Sequence, residues 1–222
     1  MATSAALPTP KPGQGPTVNG TAFQLVAFYY PGPCAAFPTG WTPWDTAYDA
    51  PMFGNFWPAT VTITPPSSST TGPGTFNTGE AAFQATKWWQ NDSIRTQFEQ
   101  ARTGGEAFAL RKKYRHDQSN SDWAGFGQEP AMDAVIASKF SDLTLRAALL
   151  ATKDAYLLEH NSNDDRDSFW SDNCNGDGQN LLGHALMRLR HSLAGTTMPT
   201  YPPVAKFTAC VQGCLPCMHS NP

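Results

Sequence analysis

The chain has 222 residues and a formal net charge of −3, with 40% hydrophobic and 15% charged residues. That is apolar enough for a packed core and excludes wholesale disorder. The charge excludes a global positive field that would draw the protein onto nucleic acid, so any such substrate has to be held locally. The one basic run is Arg111-Lys-Lys-Tyr-Arg-His116.

Glycine (18) and proline (19) together make about a sixth of the chain, above the roughly 12% average, and they mark its boundaries. Residues 1–20 read as a flexible leader without the apolar segment of a secretory signal. Residues 23–30 predict a strand, too short to cross a bilayer. No membrane partner is therefore expected, and a soluble intracellular protein, cytoplasmic or nuclear, is. Residues 59–64 alternate and are β-branched, a second strand, and residues 65–79, PPSSSTTGPGTFNTG, read as a long inserted surface loop.

Helical periodicity then takes over. Residues 80–90 predict a helix with Thr78 as its N-cap. Ile94, Phe98 and Ala101 predict another, stopped by Gly104-Gly105. Met132, Val135, Ile136 and Phe140 define a third, and Leu143, Ala147 and Leu150 a fourth. A short strand is expected at Tyr156–Glu159. The last helix covers residues 180–194, with Leu182, Ala185, Leu186, Leu189 and Leu193 on one side and Gly195 as its stop. Residues 196–222 form a tail holding Cys210, Cys214 and Cys217, three of the five cysteines; the odd total agrees with a reducing compartment. The expected fold is α+β: a single compact, mainly helical domain with a small β-sheet, spanning 21–195.

Three groups of residues could carry chemistry. At 100° per residue Glu80, Gln84 and Lys87 share an arc of about 60°, beside an apolar arc of Ala81, Ala85 and Trp88. Two readings stand: a solvated face whose charges suit the helix dipole, or a polar stripe lining an aromatic cleft. In the second, a desolvated Lys87 could lose its proton and act as an amine nucleophile with Glu80 as acid or base. The second group is the Asp/Asn/Gly-rich segment 161–180. Aligned to an EF-hand, it puts Asn173 and Asn175 where Asp is expected and His184 where the bidentate Glu belongs, which argues against calcium. Either Gly176 and Gly178 shape a loop for a phosphate or ribose oxygen, or the loop is ordinary and Asn180 caps the helix. The third is Cys210-x3-Cys214-x2-Cys217 with His219, a spacing able to hold iron–sulfur or zinc. With five residues after it, a tail with incidental or redox-sensitive cysteines is the expectation, and neither a metal nor a cofactor is called for.

The order of motifs resembles the NADAR superfamily of YbiA-like N-glycosidases. It runs from Phe28-Tyr29 and Phe53-Gly-Asn55-Phe56 through Glu80-x3-Gln84-Ala-x-Lys87, Trp123, Met132 and Lys139-Phe140. It continues with Leu145-Arg-Ala-x-Leu-Leu-Ala-Thr152, Leu158-Glu-His160 and Asp167-x2-Trp170, and ends on Gly176-x-Gly178-x-Asn180-x-Leu182-Gly183-x3-Met187-x2-Arg190. The resemblance implies cleavage of an N-glycosidic bond at a ribose C1. Its substrate is ADP-ribose on a guanine of nucleic acid or, alternatively, a phosphoribosylamino-pyrimidine intermediate of riboflavin synthesis. A non-catalytic ADP-ribose or NAD binder is the alternative from another class. It further implies catalytic roles for Lys87, through a Schiff base, and Glu80. Substrate contacts fall to Asn55, Gln84, Arg111, Trp123, Asp167, Trp170, Gly178 and Asn180. Where relatives often carry His and an aromatic after the helical Glu, this chain has Ala81 and Ala82, which predicts a wider pocket. Where they carry a Gly-Arg pair it has Leu110-Arg111, and Arg111 is assigned to a phosphate on that basis.

Overall fold

The computed structural model describes residues 7–28, 48–66, 72–116, 123–161 and 165–213. They fall into two compact units: Met1–Gly54 together with Thr144–Pro222, and Asn55–Leu143, which is inserted in the chain of the first. Among the described residues the elements are helix-rich α+β, as expected.

The first unit is built on a three-stranded sheet of order β1 (Gly13–Val18), β2 (Thr21–Phe28), β5 (Tyr156–Glu159). β1 and β2 are antiparallel and β2 and β5 parallel. Leu25–Phe28 and Tyr156–Leu158 are wholly buried, as the parallel pair of a covered sheet requires. β1 corrects the reading of residues 1–20 as a flexible leader. Asn19 and Gly20, at φ 50° and 78°, make the two-residue turn that matches strand twist, and the register shift between Gln14 and Thr17 takes up Gly15-Pro16 as a bulge. Upstream, the Lys11 N–H donates to the Tyr48 carbonyl and its ammonium meets Asp49 at 2.6 Å.

Three helices belong to this unit. α5 (Leu143–Ala151) begins at the unit boundary. α6 (Leu181–Ala194) ends on Gly195 in the left-handed region, as expected. α7 (Val204–Gly213) docks Phe207 on Tyr156 with stacked rings 3.8 Å apart. α7 corrects the assignment of residues 196–222 to a cysteine-containing tail outside the domain, since Phe207, Cys210 and Val211 are core. Two faces are also re-phased. On α5 the buried residues are Leu145, Ala148 and Leu149, while Leu143 is 76% exposed. On α6 Leu193 is exposed and Arg190 is buried instead, its guanidinium donating to Thr152 Oγ1 and the Ala155 carbonyl, both at 2.8 Å. α6 can lie close to β5 because residue 183 is glycine: a Cβ there would run into the Leu157 carbonyl and the Asn180 amide.

The second unit pairs β3 (Pro58–Ile63) with β4 (Gly74–Thr78) as an antiparallel hairpin. β4 corrects the 65–79 loop, whose second half alternates buried Gly74, Phe76 and Thr78 with exposed Thr75 and Asn77. Packed with this hairpin are α1 (Gly79–Ala85), a 3₁₀ turn Thr86–Trp88, α2 (Asp92–Gln100), α3 (Gly104–Lys113) and α4 (Gln128–Lys139). Met132, Val135, Ile136 and Phe140 are buried as expected. Gly104-Gly105 do not stop α2, which ends at Gln100. They open α3, where Thr103 Oγ1 accepts from the Glu106 N–H at 3.1 Å and Glu106 reaches back to the Arg102 N–H. Trp88 and Trp89 anchor the core, Trp88 stacked on Phe98 at 5.5 Å and Trp89 tilted against Phe76 at 6.0 Å.

Candidate active site

Glu80, Gln84 and Lys87 are brought together by the way α1 ends. Thr78 is the N-cap, as expected, accepting from the Ala81 N–H, and the Glu80 N–H is held by the Asn55 carbonyl at 2.9 Å. Glu80 therefore enters the first turn, where the helix dipole favours a carboxylate. Beyond Ala85 the helix tightens to 3₁₀, with Thr86 Oγ1 bonded to the Phe83 carbonyl at 2.6 Å. Three residues per turn places Lys87 directly over Gln84. The result is a continuous row. Lys87 Nζ donates to Gln84 Oε1 at 2.9 Å, and Gln84 Nε2 donates to Glu80 Oε1 at 3.0 Å.

Glu80 and Gln84 are 8% and 6% exposed, so the solvated-face reading of this stripe does not hold. Lys87 also lies 5.6 Å over the Phe83 ring. Burial, the charge of Arg111 and, in the opposite sense, the carboxylate of Glu80 bring its pKa down to about 8. Burial dominates because it penalises only the ammonium form. A lysine so placed has a sizeable neutral fraction near physiological pH, with an amide oxygen to orient it.

The remaining residues of this unit stand as follows. Asn55 Nδ2 contacts Met132 Sδ at 3.3 Å, while its buried Oδ1 has no hydrogen-bond donor among the described residues. Trp123 is half-buried at φ 50° and its indole N–H likewise has no acceptor among the described residues. Arg111 is exposed at the end of α3, its guanidinium 5.7 Å from the Phe108 ring. Phe83, which supports the ammonium, was missed by sequence reasoning. Its spacing of four from Lys87 is the signal that could have found it.

Asp167, Trp170, Gly178 and Asn180 belong to the first unit. Asp167 Oδ1 closes a local turn by accepting from the Phe169 and Trp170 N–H groups at 3.1 and 2.9 Å. Trp170 is half-buried, edge-on to Phe169. Gly178 is needed for close approach, since a Cβ would strike the Ser171 carbonyl and the Asp172 and Asn173 backbone. Asn180 stands at the N-cap position of α6, at φ 50°, but its side chain makes no cap bond. Wholly buried, its Oδ1 accepts from the Glu159 N–H at 2.9 Å. Its Nδ2 donates to the Leu157 carbonyl at 2.9 Å and the Tyr156 hydroxyl at 3.0 Å. The amide assigned to substrate is thus occupied in joining α6 to β5.

Sequence reasoning also missed the hub of this loop, the buried Asp172. Its carboxylate meets His160 Nδ1 at 2.6 Å and accepts from the Asn161 and Cys174 N–H groups and from Thr208 Oγ1 of α7. Cys210 is buried, and Cys174 is disulfide-bonded, where the odd count had pointed to a reducing compartment. A count carries no pairing: five cysteines can hold a bridge and still leave a thiol free. Cys214, Cys217 and His219 lie outside the described residues. No helix among the described residues is long and apolar enough to cross a membrane.

Comparison with known proteins gives concordant matches. The model of the NADAR domain matches residues 42–194. A riboflavin biosynthesis protein of Vibrio vulnificus is 34% identical over 145 residues, 64% of this chain and 35% of that protein. The N-glycosidase YbiA of Escherichia coli is 44% identical over 68 residues, 30% of this chain and 41% of the relative. The chain thus spans well under half the length of these curated relatives. The NMR structure of E. coli YbiA superposes with a TM-score of 0.50 at 28% identity, covering 77% of this chain and 86% of that one.

Proposed function

The chain belongs to the NADAR domain family, and on that premise we propose that it is an N-glycosidase that cleaves ADP-ribose from guanine in nucleic acid through a Schiff base on Lys87. The observation that carries this reading is the row Glu80–Gln84–Lys87, which ends in an amine with a pKa near 8. As the base departs, positive charge develops at the ribose C1, and the nearly buried Glu80 carboxylate stabilises it. The neutral Lys87 amine forms a bond to C1, the sugar ring opens to an imine, and water hydrolyses the imine to release the sugar and regenerate the amine. Gln84 holds Nζ through its oxygen and the carboxylate through its nitrogen, so the nucleophile and the charge stabiliser keep a fixed spacing. The unpartnered Asn55 oxygen and Trp123 indole N–H are an acceptor and a donor available to the substrate.

A second reading is favoured by the Vibrio relative, whose name places it in riboflavin biosynthesis: hydrolysis of a phosphoribosylamino-pyrimidine by the same row. Offering ADP-ribosylated guanine oligonucleotide and that pyrimidine side by side separates the two. Borohydride added during turnover is expected to fix a sugar adduct on Lys87, read by mass spectrometry. Lys87→Ala should lose activity by about 10³-fold or more while unfolding at the same temperature. Full turnover by that variant would remove the Schiff base.

A further inference from the structure

The C-terminal turn of α3 carries Arg111, Lys112 and Lys113, all exposed, and the chain continues through Tyr114 to an exposed Arg115 and His116. Four of the chain's 15 lysines and arginines thus fall within residues 111–115, and no acidic residue occurs from Ala107 to His116. None of the four cations is ion-paired with a carboxylate among the described residues. Arg111 and Lys112 lie 5.7 and 4.6 Å from the Phe108 ring, Lys113 lies 4.7 Å from the Tyr114 ring, and Arg115 donates to His116 Nε2 at 2.9 Å. A cationic cluster in a protein of net charge −3 is a local field of the opposite sign to the whole, and the half-buried Phe108 and Tyr114 rings lie under three of its cations and hold them in place. The cluster also touches the candidate site electrically, because the charge of Arg111 is felt at Lys87.

We propose that the Arg111–His116 segment at the end of α3 is a docking surface for the sugar–phosphate backbone of single-stranded nucleic acid flanking the modified base. This rests on the reading of the substrate as a nucleic acid and deepens it. This is the one basic run in the sequence, so the strand is held there. Lys112, Lys113 and Arg115 grip phosphates, Phe108 and Tyr114 order the cations that lie over their rings, and sequence is not read, since none of these contacts requires a base edge.

The test uses Lys112→Gln/Lys113→Gln/Arg115→Gln in the full chain; the three residues are exposed, so the fold is retained. Binding of an unmodified single-stranded oligonucleotide is titrated by fluorescence anisotropy across salt concentrations. The wild-type protein should show affinity falling steeply with salt. The triple variant should bind about ten-fold more weakly, with a log–log slope shallower by about 2, as expected for three lost phosphate contacts. Equal slopes would overturn the proposal, as would wild-type retention on phosphatidylserine vesicles with no preference for the oligonucleotide. Turnover gives the second arm: KM for ADP-ribosylated oligonucleotide should rise about ten-fold at unchanged kcat, with ADP-ribosyl-guanosine hydrolysed as by the wild type. An equal loss on both substrates would mean that the run holds the diphosphate of ADP-ribose itself, which also overturns it. Wild-type failure to hydrolyse either compound would defeat the proposed function, whereas the salt slopes on unmodified strand would still decide this inference.

Discussion

The row on α1 and the loop before α6 are both rich in buried polar side chains, yet they use them differently. In the loop, Asn180 binds three partners on β5 and Asp172 receives hydrogens from His160, Asn161, Cys174 and Thr208. Four of these seven partners are backbone groups, and the bonds tie separate stretches of chain together. In the row, the side chains bond to each other in series, and the series ends on an amine whose pKa is brought down to about 8. Nearby, the Asn55 oxygen is left without a donor. A buried polar group most of whose partners are backbone atoms stabilises a fold, whereas one in a side-chain series that ends on an amine of perturbed pKa is available for chemistry. Burial alone does not separate the two; the identity of the partners does.

The largest effect that separates them is expected at Asn180. Asn180→Ala leaves the Glu159 N–H and the Leu157 carbonyl unpaired in the core, at about 1–3 kcal/mol each, or on the order of 10 °C in Tm for a chain of this size. Turnover per folded molecule should be unchanged at temperatures where the variant is folded. If instead KM rises at constant Tm, the amide contacts substrate and the loop is not scaffold.

Gln84→Leu should behave in the opposite manner. It removes both bonds of the row at similar volume, so kcat/KM is expected to fall about 10–100-fold while denaturant unfolding shifts by less than about 1 kcal/mol. A large stability loss with little effect on rate would make the row structural, like the loop.

The row was legible in the sequence because its three residues share a narrow helical arc, and that arc survives the change to 3₁₀ at Thr86. Other elements were hidden for identifiable reasons. α3 lacks an apolar stripe, burying only Gly104 and Ala107, and the evidence for it was the Thr103-x-x-Glu106 capping pair rather than periodicity. β4 alternates, but with Gly, Thr and Asn in place of apolar residues, so its composition reads as loop. The face of α6 was placed through Leu182, Ala185 and Leu186 but missed in its last turn, because a template of apolar residues does not include a buried Arg190. The roles within the loop were illegible in principle: Asn180 and Asp172 look like capping and turn residues until the strand that they bind is placed beside them.

The smallest effect is electrostatic. Attack by Lys87 requires the neutral amine, so kcat/KM should rise with pH through an inflection near 8 and level off above it. Burial of Lys87 contributes most to that position, and the Arg111 charge contributes in the same direction. Arg111→Gln removes a like charge, which makes the ammonium easier to keep and moves the inflection to higher pH. At pH 7 the rate should then fall about two-fold, the size expected for a solvent-screened charge. Because Arg111 is exposed, the difference between wild type and variant should shrink as salt rises and the Debye length shortens. Glu80 acts with the opposite sign, so Glu80→Gln should move the inflection to lower pH even as it lowers the plateau rate. Oppositely directed shifts in the two variants would assign the inflection to Lys87, the group on which the two charges act with opposite sign.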